Sequence, residues 1–324
     1  MIVTFLCKAV EQSIPLLFGS TGEILTEKSG NLNLGIPGIM YMGGCAGIMG
    51  AYIYENTATV LSPILCVLIP LLASIIGSGF LALIYSFLTI TLRANQNVTG
   101  LAITTFGIGF SDFFGGSLVG IMGGDGQLSV VTSSGYFKTR LPFAESLGVV
   151  GKLLFSYGFL VYIAIIIAFV AAWYLKRTRS GLHLRAVGEN PATADAAGIS
   201  VTKYKYLATC IGGIIAGLGG LYFIMDYTGG SWTSGGFGDR GWLAIALVIF
   251  ATWKPNVGIL GSLIFGGLYI AYAYTAGLGR SAGALFKMLP YLVTIIVLII
   301  TSMRNKKENQ PPEHLGLPYF REER

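Results

Sequence analysis

Apolar residues fill nine blocks of the chain, roughly 3–20, 32–53, 62–90, 98–118, 153–175, 204–225, 241–252, 256–277 and 284–302, separated by short polar stretches. A helix needs about 20 mostly apolar residues to cross a bilayer, so most of these blocks read as membrane spans, while 241–252 falls short and reads as a thin or partial crossing. Block 62–90 would extend about 44 Å at ~1.5 Å per residue, long enough to leave open a break near Pro70. The pattern predicts an all-α fold, a polytopic transmembrane helical bundle with about eight to ten crossings.

The clearest polar interruption is Gly181–Val201. It follows the densest basic run within the apolar region, Lys176, Arg177, Arg179 and Arg185, which predicts a cytoplasmic loop, because short cytoplasmic loops carry an excess of Lys and Arg. Asn190 is an N-cap residue, Pro191 suits the first helical position, Ala192–Ala197 supplies helix formers and Gly198 a stop, so a short cytoplasmic helix is expected here. The same rule places the tail that begins Arg304, Asn305, Lys306, Lys307 inside. That requires 241–252 to cross, with Lys254 and Pro255 at the inner face. Counting back puts 91–97 with Arg93 and 21–31 with Lys28 inside, and 119–152 and the N-terminus outside, although Lys138, Arg140 and Lys152 in 119–152 run against the trend.

A charge at the bilayer centre costs about 2.5–3.5 kcal/mol on insertion scales. Glu11 lies mid-way along the first block, four residues before Pro15, so that helix either breaks and faces the protein interior or lies shallow in the interface; the interior is the favoured reading. Asp112 and Asp226 fall near block ends and read as boundary residues. Gly43/Gly47 and Gly213/Gly217 sit four apart, as close helix packing in lipid requires. The stretch Asn31 to Gly38 reads alternatively as a discontinuous helix entry whose freed backbone would line a polar cavity.

Composition fits this picture: 53% of the 324 residues are hydrophobic and 11% charged, with a mean hydropathy of +0.70, against about 25% charged residues in a usual globular chain. The net charge of +6 fits basic cytoplasmic loops, and no basic stripe interleaved with aromatics points to nucleic acid. Cys7, Cys45, Cys66 and Cys210 lack paired spacing and read as buried thiols. Met1–Leu6 lacks a basic leader, so a cleaved signal peptide is not expected.

Candidate chemistry is sparse. Gly22 to Ser29 nearly matches a phosphate-binding loop, but Glu27 stands where that loop needs glycine, and a carboxylate there would repel phosphate. His183 and His314 form no metal cluster or catalytic base, so neither a metal, a cofactor nor a catalytic residue is expected. With Glu11 as the one carboxylate deep in a block, there is no proton relay either. The chain reads as a pathway energised by a partner. A self-sufficient secondary transporter or channel is the alternative.

Four stretches carry a resemblance. G-L-H-L-R-A-V-G-E-N-P from Gly181 to Pro191, continued by A-x-x-A-G-I to Ile199, resembles the coupling loop of permease subunits in ATP-binding-cassette importers of the branched-chain amino acid, ribose and nucleoside superfamily. Glu27–Gly38, Leu92–Gly100 and the ending Leu315–Arg324 are similar to further segments of that family, the wording of the first and last being closer to its nucleoside and simple-sugar branch. Pro37 and Thr104 depart from the family pattern, which leaves the substrate open, branched-chain amino acids or ribose included.

The resemblance implies a permease domain over 1–303, a cytoplasmic tail over 304–324, and three kinds of partner besides membrane lipid and excluding nucleic acid: cytoplasmic ATP-binding subunits, a second related permease and an extracellular substrate-binding lipoprotein. Carried onto this sequence, ATPase coupling falls on Gly181, Arg185, Gly188, Glu189, Asn190, Pro191, Ala192, Ala196, Ala197 and Gly198. Ala192, Ala194, Ala196 and Ala197 would dock closely in an ATPase cleft. A solute path between blocks 32–53 and 98–118 would use Asn33, Gln96, Asn97, Thr99, Thr104 and Thr105, uncharged groups suited to a neutral polar solute, with helix capping as the competing role for the amides.

Overall fold

The computed structural model describes residues 2–140, 142, 144, 146, 148–274, 280–304 and 309–321. They form thirteen α-helices: α1 Ile2–Glu27, α2 Ile36–Thr57, α3 Pro63–Ser86, α4 Gln96–Ile121, α5 Val131–Phe137, α6 Gly148–Leu154, α7 Phe159–Arg177, α8 Arg179–Glu189, α9 Pro191–Ala196, α10 Val201–Tyr222, α11 Arg240–Phe250, α12 Pro255–Ile270 and α13 Arg280–Arg304. π turns extend α3 over Phe87–Thr91 and α10 over Phe223–Tyr227. Among the described residues each of the nine apolar blocks has most of its length on one helix, block 153–175 starting at the end of α6 and continuing on α7. Among the described residues seven helices are long and apolar enough to cross a membrane, namely α1, α2, α3, α4, α7, α10 and α12, while α11 and Met288–Ile300 of α13 are shorter apolar helices.

α1, α2 and α10 form the centre of the bundle, with α3 and α4 against α2, and α7, α11 and α12 against α1. The core rests on close backbone approach: a Cβ on Gly43 would lie 2.5 Å from Gly217 Cα, so α2 and α10 meet at a contact only glycine permits. Lipid offers no hydrophobic drive between helices, and such small-residue contacts supply the packing instead. On α3 and α7 the outward faces carry Ile64, Leu72, Ile76, Phe80, Ile166, Phe169 and Trp173, all exposed, as a lipid-facing surface needs.

The first helix departs from expectation. It runs unbroken through Pro15 to Glu27, and Glu11 is half-buried and paired with Lys8 at 2.6 Å. The region 21–27, expected as loop, is helix with its side chains buried, including Glu23 and Glu27. Two deeply buried carboxylates therefore stand where the sequence suggested none. α3 likewise continues through Pro70; proline is tolerated inside membrane helices because neighbouring groups re-satisfy the freed backbone.

α11 has eleven residues, about 16 Å of helix against a hydrocarbon core of about 30 Å, consistent with the thin crossing expected. Before it, 228–239 is irregular yet buries Trp232 and Phe237, and it pairs with the segment after α4 through Val130 N–H to Gly230 C=O (2.8 Å) and Trp232 N–H to Leu128 C=O (2.9 Å). Arg240, at the start of α11, is 6% exposed. It donates to the carbonyls of Gly236 and Phe237, contacts Gln12, and lies 4.4 Å from the Phe223 ring centre and 5.1 Å from that of Tyr269. Carbonyl and aromatic faces thus hold a cation that the apolar pattern gave no reason to expect.

Candidate functional site

The polar segment 178–199 is built as an elbow of two helices, one more than the sequence suggested. α7 stops at Thr178, whose extended backbone turns the chain and whose Oγ1 accepts from Gly181 N–H at 2.9 Å, capping α8. α8 buries Gly181, Leu184, Val187 and Gly188 and exposes Arg179, Leu182, Arg185 and Glu189, the amphipathic pattern of a helix lying on a core. A Cβ on Gly181 would strike the Tyr174 carbonyl, and one on Gly188 the Lys28 carbonyl, so α8 lies directly on the ends of α7 and α1.

Asn190 then breaks the helix and caps α9 by accepting from Thr193 N–H at 2.9 Å, with Pro191 at the first helical position, as expected. Gly198, at φ +81°, ends it, and Ile199 N–H reaches back to the Ala194 carbonyl at 3.0 Å, a glycine-dependent helix stop. Ala194 is buried with Val187 and Val201 in a small core completed by Ile199, Tyr204 and Tyr319. Ala192, Thr193, Ala196, Ala197 and Gly198 are exposed. α9 therefore presents a face of small side chains at one end of the bundle.

The C-terminal tail is stitched to this end. His314 N–H donates to the Gly188 carbonyl at 3.1 Å and Gly316 N–H to the Gly30 carbonyl at 3.2 Å. Tyr319 Oη donates to Asp195 Oδ2 at 3.1 Å, and Arg321 Nε lies 3.2 Å from the same oxygen. The Gln96 amide donates to the Leu317 carbonyl at 3.4 Å, Arg93 sits 4.7 Å over the Phe320 ring, and Lys254 Nζ donates to Asn309 Oδ1 at 2.7 Å. Burial pushes the Lys28 amine below its ordinary range, with Glu189 opposing the shift, and pushes His314 below its own, with help from Lys205. The connection 305–308 lies outside the described residues.

Beneath the elbow is a buried polar knot around the non-helical stretch Asn31–Leu34. Asn33 N–H donates to Glu23 Oε1 at 3.0 Å, and Asn33 Oδ1 accepts from Gly35 N–H at 2.9 Å. Leu32 N–H donates to Gln96 Oε1 at 2.7 Å, while the Leu32 carbonyl accepts from Tyr85 Oη at 2.5 Å and the Leu34 carbonyl from Thr104 Oγ1 at 2.7 Å. Asn31 Nδ2 donates to Thr209 Oγ1 at 3.1 Å, and Trp253 Nε1 to Glu27. These bonds answer the requirement that non-helical backbone at membrane depth be satisfied within the protein.

Of the residues expected along a solute path, Asn33, Gln96 and Thr104 serve in this knot. Thr99 is buried beside it, and Asn97 and Thr105 face outward from α4, Thr105 donating to the Leu101 carbonyl at 3.0 Å. They do not surround a common cavity. α2 and α4 are in backbone contact instead: a Cβ on Gly38 would lie 2.5 Å from the Ile103 carbonyl oxygen, and one on Gly107 2.5 Å from that of Gly38. The helix-entry reading of Asn31–Gly38 matches the irregular backbone, which is lined here by protein groups.

The opposite end is open and charged. A cavity of about 110 Å³ is lined by Lys8, Glu11, Lys138, Arg140, Tyr157 and Asp226 among others, and it shares Lys8, Glu11, Arg140 and Tyr157 with a wider hollow of about 530 Å³ that includes Lys152. Tyr157 Oη, Tyr222 Oη and Asp226 Oδ2 are buried there without a hydrogen-bond partner. The basic residues that ran against the charge trend thus sit around a polar hollow. Among the described residues, no group of three or more His, Cys, Asp and Glu could hold a metal ion.

Comparison with known proteins adds the family. The model described as branched-chain amino acid transport system / permease component matches residues 6–298. The chain is similar to the nucleoside ABC transporter permease protein NupC of Lactococcus lactis (30% identical, 89% of each chain). It is similar to the guanosine ABC transporter permease protein NupQ of Bacillus subtilis (30%, covering 96% of this chain and 94% of the relative). A third relative is the putative glucose ABC transporter permease protein TsgC13 of Haloferax volcanii (30%, 92% and 91%). Each of these organisms also holds a second similar permease, 22%, 20% and 25% identical respectively. No solved structure matches.

Proposed function

Since this chain belongs to the branched-chain amino acid transport system permease family, and is a transport subunit whose ATPase is a separate chain, we propose that it carries nucleosides across the cytoplasmic membrane and is driven through α9. The exposed small-residue face of α9 carries the second half of that reading. A helix offering Ala192, Ala196 and Ala197 can enter a cleft closely, and Arg185 and Glu189 beside it can pair with partner charges. Closure of the ATPase dimer would push α9, rock α7 and α10, and open the pathway to the other side. Gly181, Gly188, Asn190, Pro191 and Gly198 act in this scheme by shaping the elbow.

The α8–α9 end is assigned to the cytoplasm. Lys176, Arg177, Arg179, Arg185, Lys254 and Arg321 support that side, and the tail packed on α8 and α9 goes with it, which makes the C-terminus cytoplasmic. The polar hollow then faces outward, where an extracellular substrate-binding lipoprotein would deliver solute. The paired relatives in three organisms support a heteromeric permease, this chain being one half and a more distant relative the other. With α2 and α4 in contact, Asn97 and Thr105 on the outer face of α4 are the path candidates that could reach solute at a junction with that second permease.

Ribonucleosides are the first substrate choice because two relatives with 30% identity carry nucleoside and guanosine names. The equally similar glucose relative favours a second reading, simple sugars. Uptake of labelled nucleosides, sugars and branched-chain amino acids by the reconstituted complex decides between them. The expected result is saturable, ATP-dependent nucleoside uptake. Uptake that persists without the ATPase would point to a self-sufficient transporter instead.

A further inference from the structure

α9 has six residues, too few to hold its own conformation, since isolated helices shorter than about 12–15 residues are marginal in water. Something outside must fix its direction. Two walls of the small core around Ala194 come from α8 and α10 through Val187 and Val201, and a further contact comes from Tyr319 in the tail. Tyr319 and Arg321 both engage Asp195, the residue immediately before the exposed pair Ala196 and Ala197. The strap that carries them is bound elsewhere to the Gly30 turn, to Gln96 and to Arg93. It therefore ties α9 to the polar knot and to the start of α4 as well as to α8, which it meets through His314 N–H on the Gly188 carbonyl.

We propose that the C-terminal strap Pro312–Arg321 forms part of the ATPase-docking surface, with Tyr319 and Arg321 as positioning residues that set the orientation of α9 through Asp195. This rests on the reading of α9 as the coupling helix. The Arg321 side chain is 74% exposed, and an exposed ion pair contributes little to stability. The value of this one lies in direction: a charge-assisted pair on one side of a single-turn helix fixes which face it offers. Arg321, exposed and paired with Asp195, extends the surface the ATP-binding subunit meets. Force applied to α9 then reaches the backbone of Asn31–Leu34 through the strap as well as through the flanking spans.

The test uses the complete complex in vesicles, with transport per ATP hydrolysed, ATPase co-purification and permease level in the membrane all measured. The variants are Tyr319→Phe combined with Arg321→Ala, a chain ending at Gln310, and the exchange Asp195→Arg with Arg321→Asp. The expected result for the first two is normal membrane level with transport per ATP reduced about five-fold or more, within the usual range of coupling between sites, or with weakened ATPase retention. Arg321→Lys and the charge exchange should recover part of the loss in transport per ATP at unchanged membrane level, whereas a merely structural role would show as a change in that level. If the shortened chain fails to reach the membrane, the double variant decides, since it keeps the Tyr319 ring in the small core and removes only its hydroxyl and the exposed Arg321 guanidinium. Wild-type coupling and retention in the double variant would overturn the proposal. Ala196→Arg, run in parallel, separates the two failures: if it also leaves transport intact, the coupling-helix reading falls, whereas a loss there beside a silent strap sinks the strap alone.

Discussion

The two ends of the bundle are built differently: one is closed by hydrogen bonds between elements and by the tail, the other surrounds an open polar hollow. At the α8–α9 end, buried polar backbone is answered by named side chains: Asn31, Asn33, Gln96, Thr104 and Tyr85 close the knot, and the tail closes over it. At the far end Tyr157, Tyr222 and Asp226 keep buried oxygens without partners around a cavity of about 110 Å³. Glu23 Oε2, Asn31 Oδ1, Asn33 Nδ2 and His314 Nδ1 also lack partners at the α8–α9 end, so what sets that end apart is backbone bonded between elements, an arrangement that suits the transmission of a push. An unsatisfied polar hollow suits something that comes and goes, because an unpaired buried polar group costs about 1–3 kcal/mol until a partner arrives.

Ala196→Arg sets the contrast most sharply. A bulky cation on the small face of α9 should abolish stimulated ATP hydrolysis and lower transport at least about ten-fold, equivalent to ~1.4 kcal/mol or more, while membrane insertion is kept; uptake in vesicles measures it. Gly188→Val comes next, because a side chain there meets the Lys28 carbonyl and overpacking costs about 1–3 kcal/mol. A lower thermal midpoint of the purified protein is its signature. Asn33→Ala should cost about 1–2 kcal/mol by orphaning buried backbone, while Asp226→Asn at the hollow should stay within about 0.5 kcal/mol. Equal losses at both sites would erase the distinction between the ends.

The smallest effect concerns pH. Burial and Lys205 hold the His314 pKa below 6.5 in the folded chain, so the strap's packing is fully present above about 6.5 and weakens as pH falls below that value and His314 takes up a proton. Protease susceptibility of the tail should rise on acidification toward pH 5.5. His314→Asn should flatten that rise.

Much of this was readable from residues alone, for identifiable reasons. Uninterrupted apolar runs marked all nine blocks that became helices, and Asn190, Pro191 and Gly198 marked α9 because caps act locally. α8 was not legible: Gly181 and Gly188 look like helix breakers until the carbonyls of Tyr174 and Lys28 are seen pressing against them. Glu23 and Glu27 looked like loop residues because their partners, Asn33 and Trp253, come from other parts of the chain. Their four-residue spacing, continuing the helical period of the first block, was the available signal. The solute-path candidates are polar, but Gln96 and Thr104 bond to backbone brought in by the Asn31–Leu34 stretch, a contact no local pattern encodes, while Asn33 accepts from Gly35 N–H within its own turn. The ending Leu315–Arg324 resembled a family ending, yet nothing in it told of Asp195.

The most direct test of the central claim is cross-linking from α9 in the assembled complex. Cysteine placed at Ala196, with Thr139→Cys near the opposite hollow as control, is treated with a short bifunctional reagent with and without ATP. The expected result is a product joining the Ala196 position to the ATP-binding subunit, with a yield that changes on adding ATP, and none from position 139. Absence of that product from a complex that hydrolyses ATP and transports normally would contradict the assignment of α9 as the driven element.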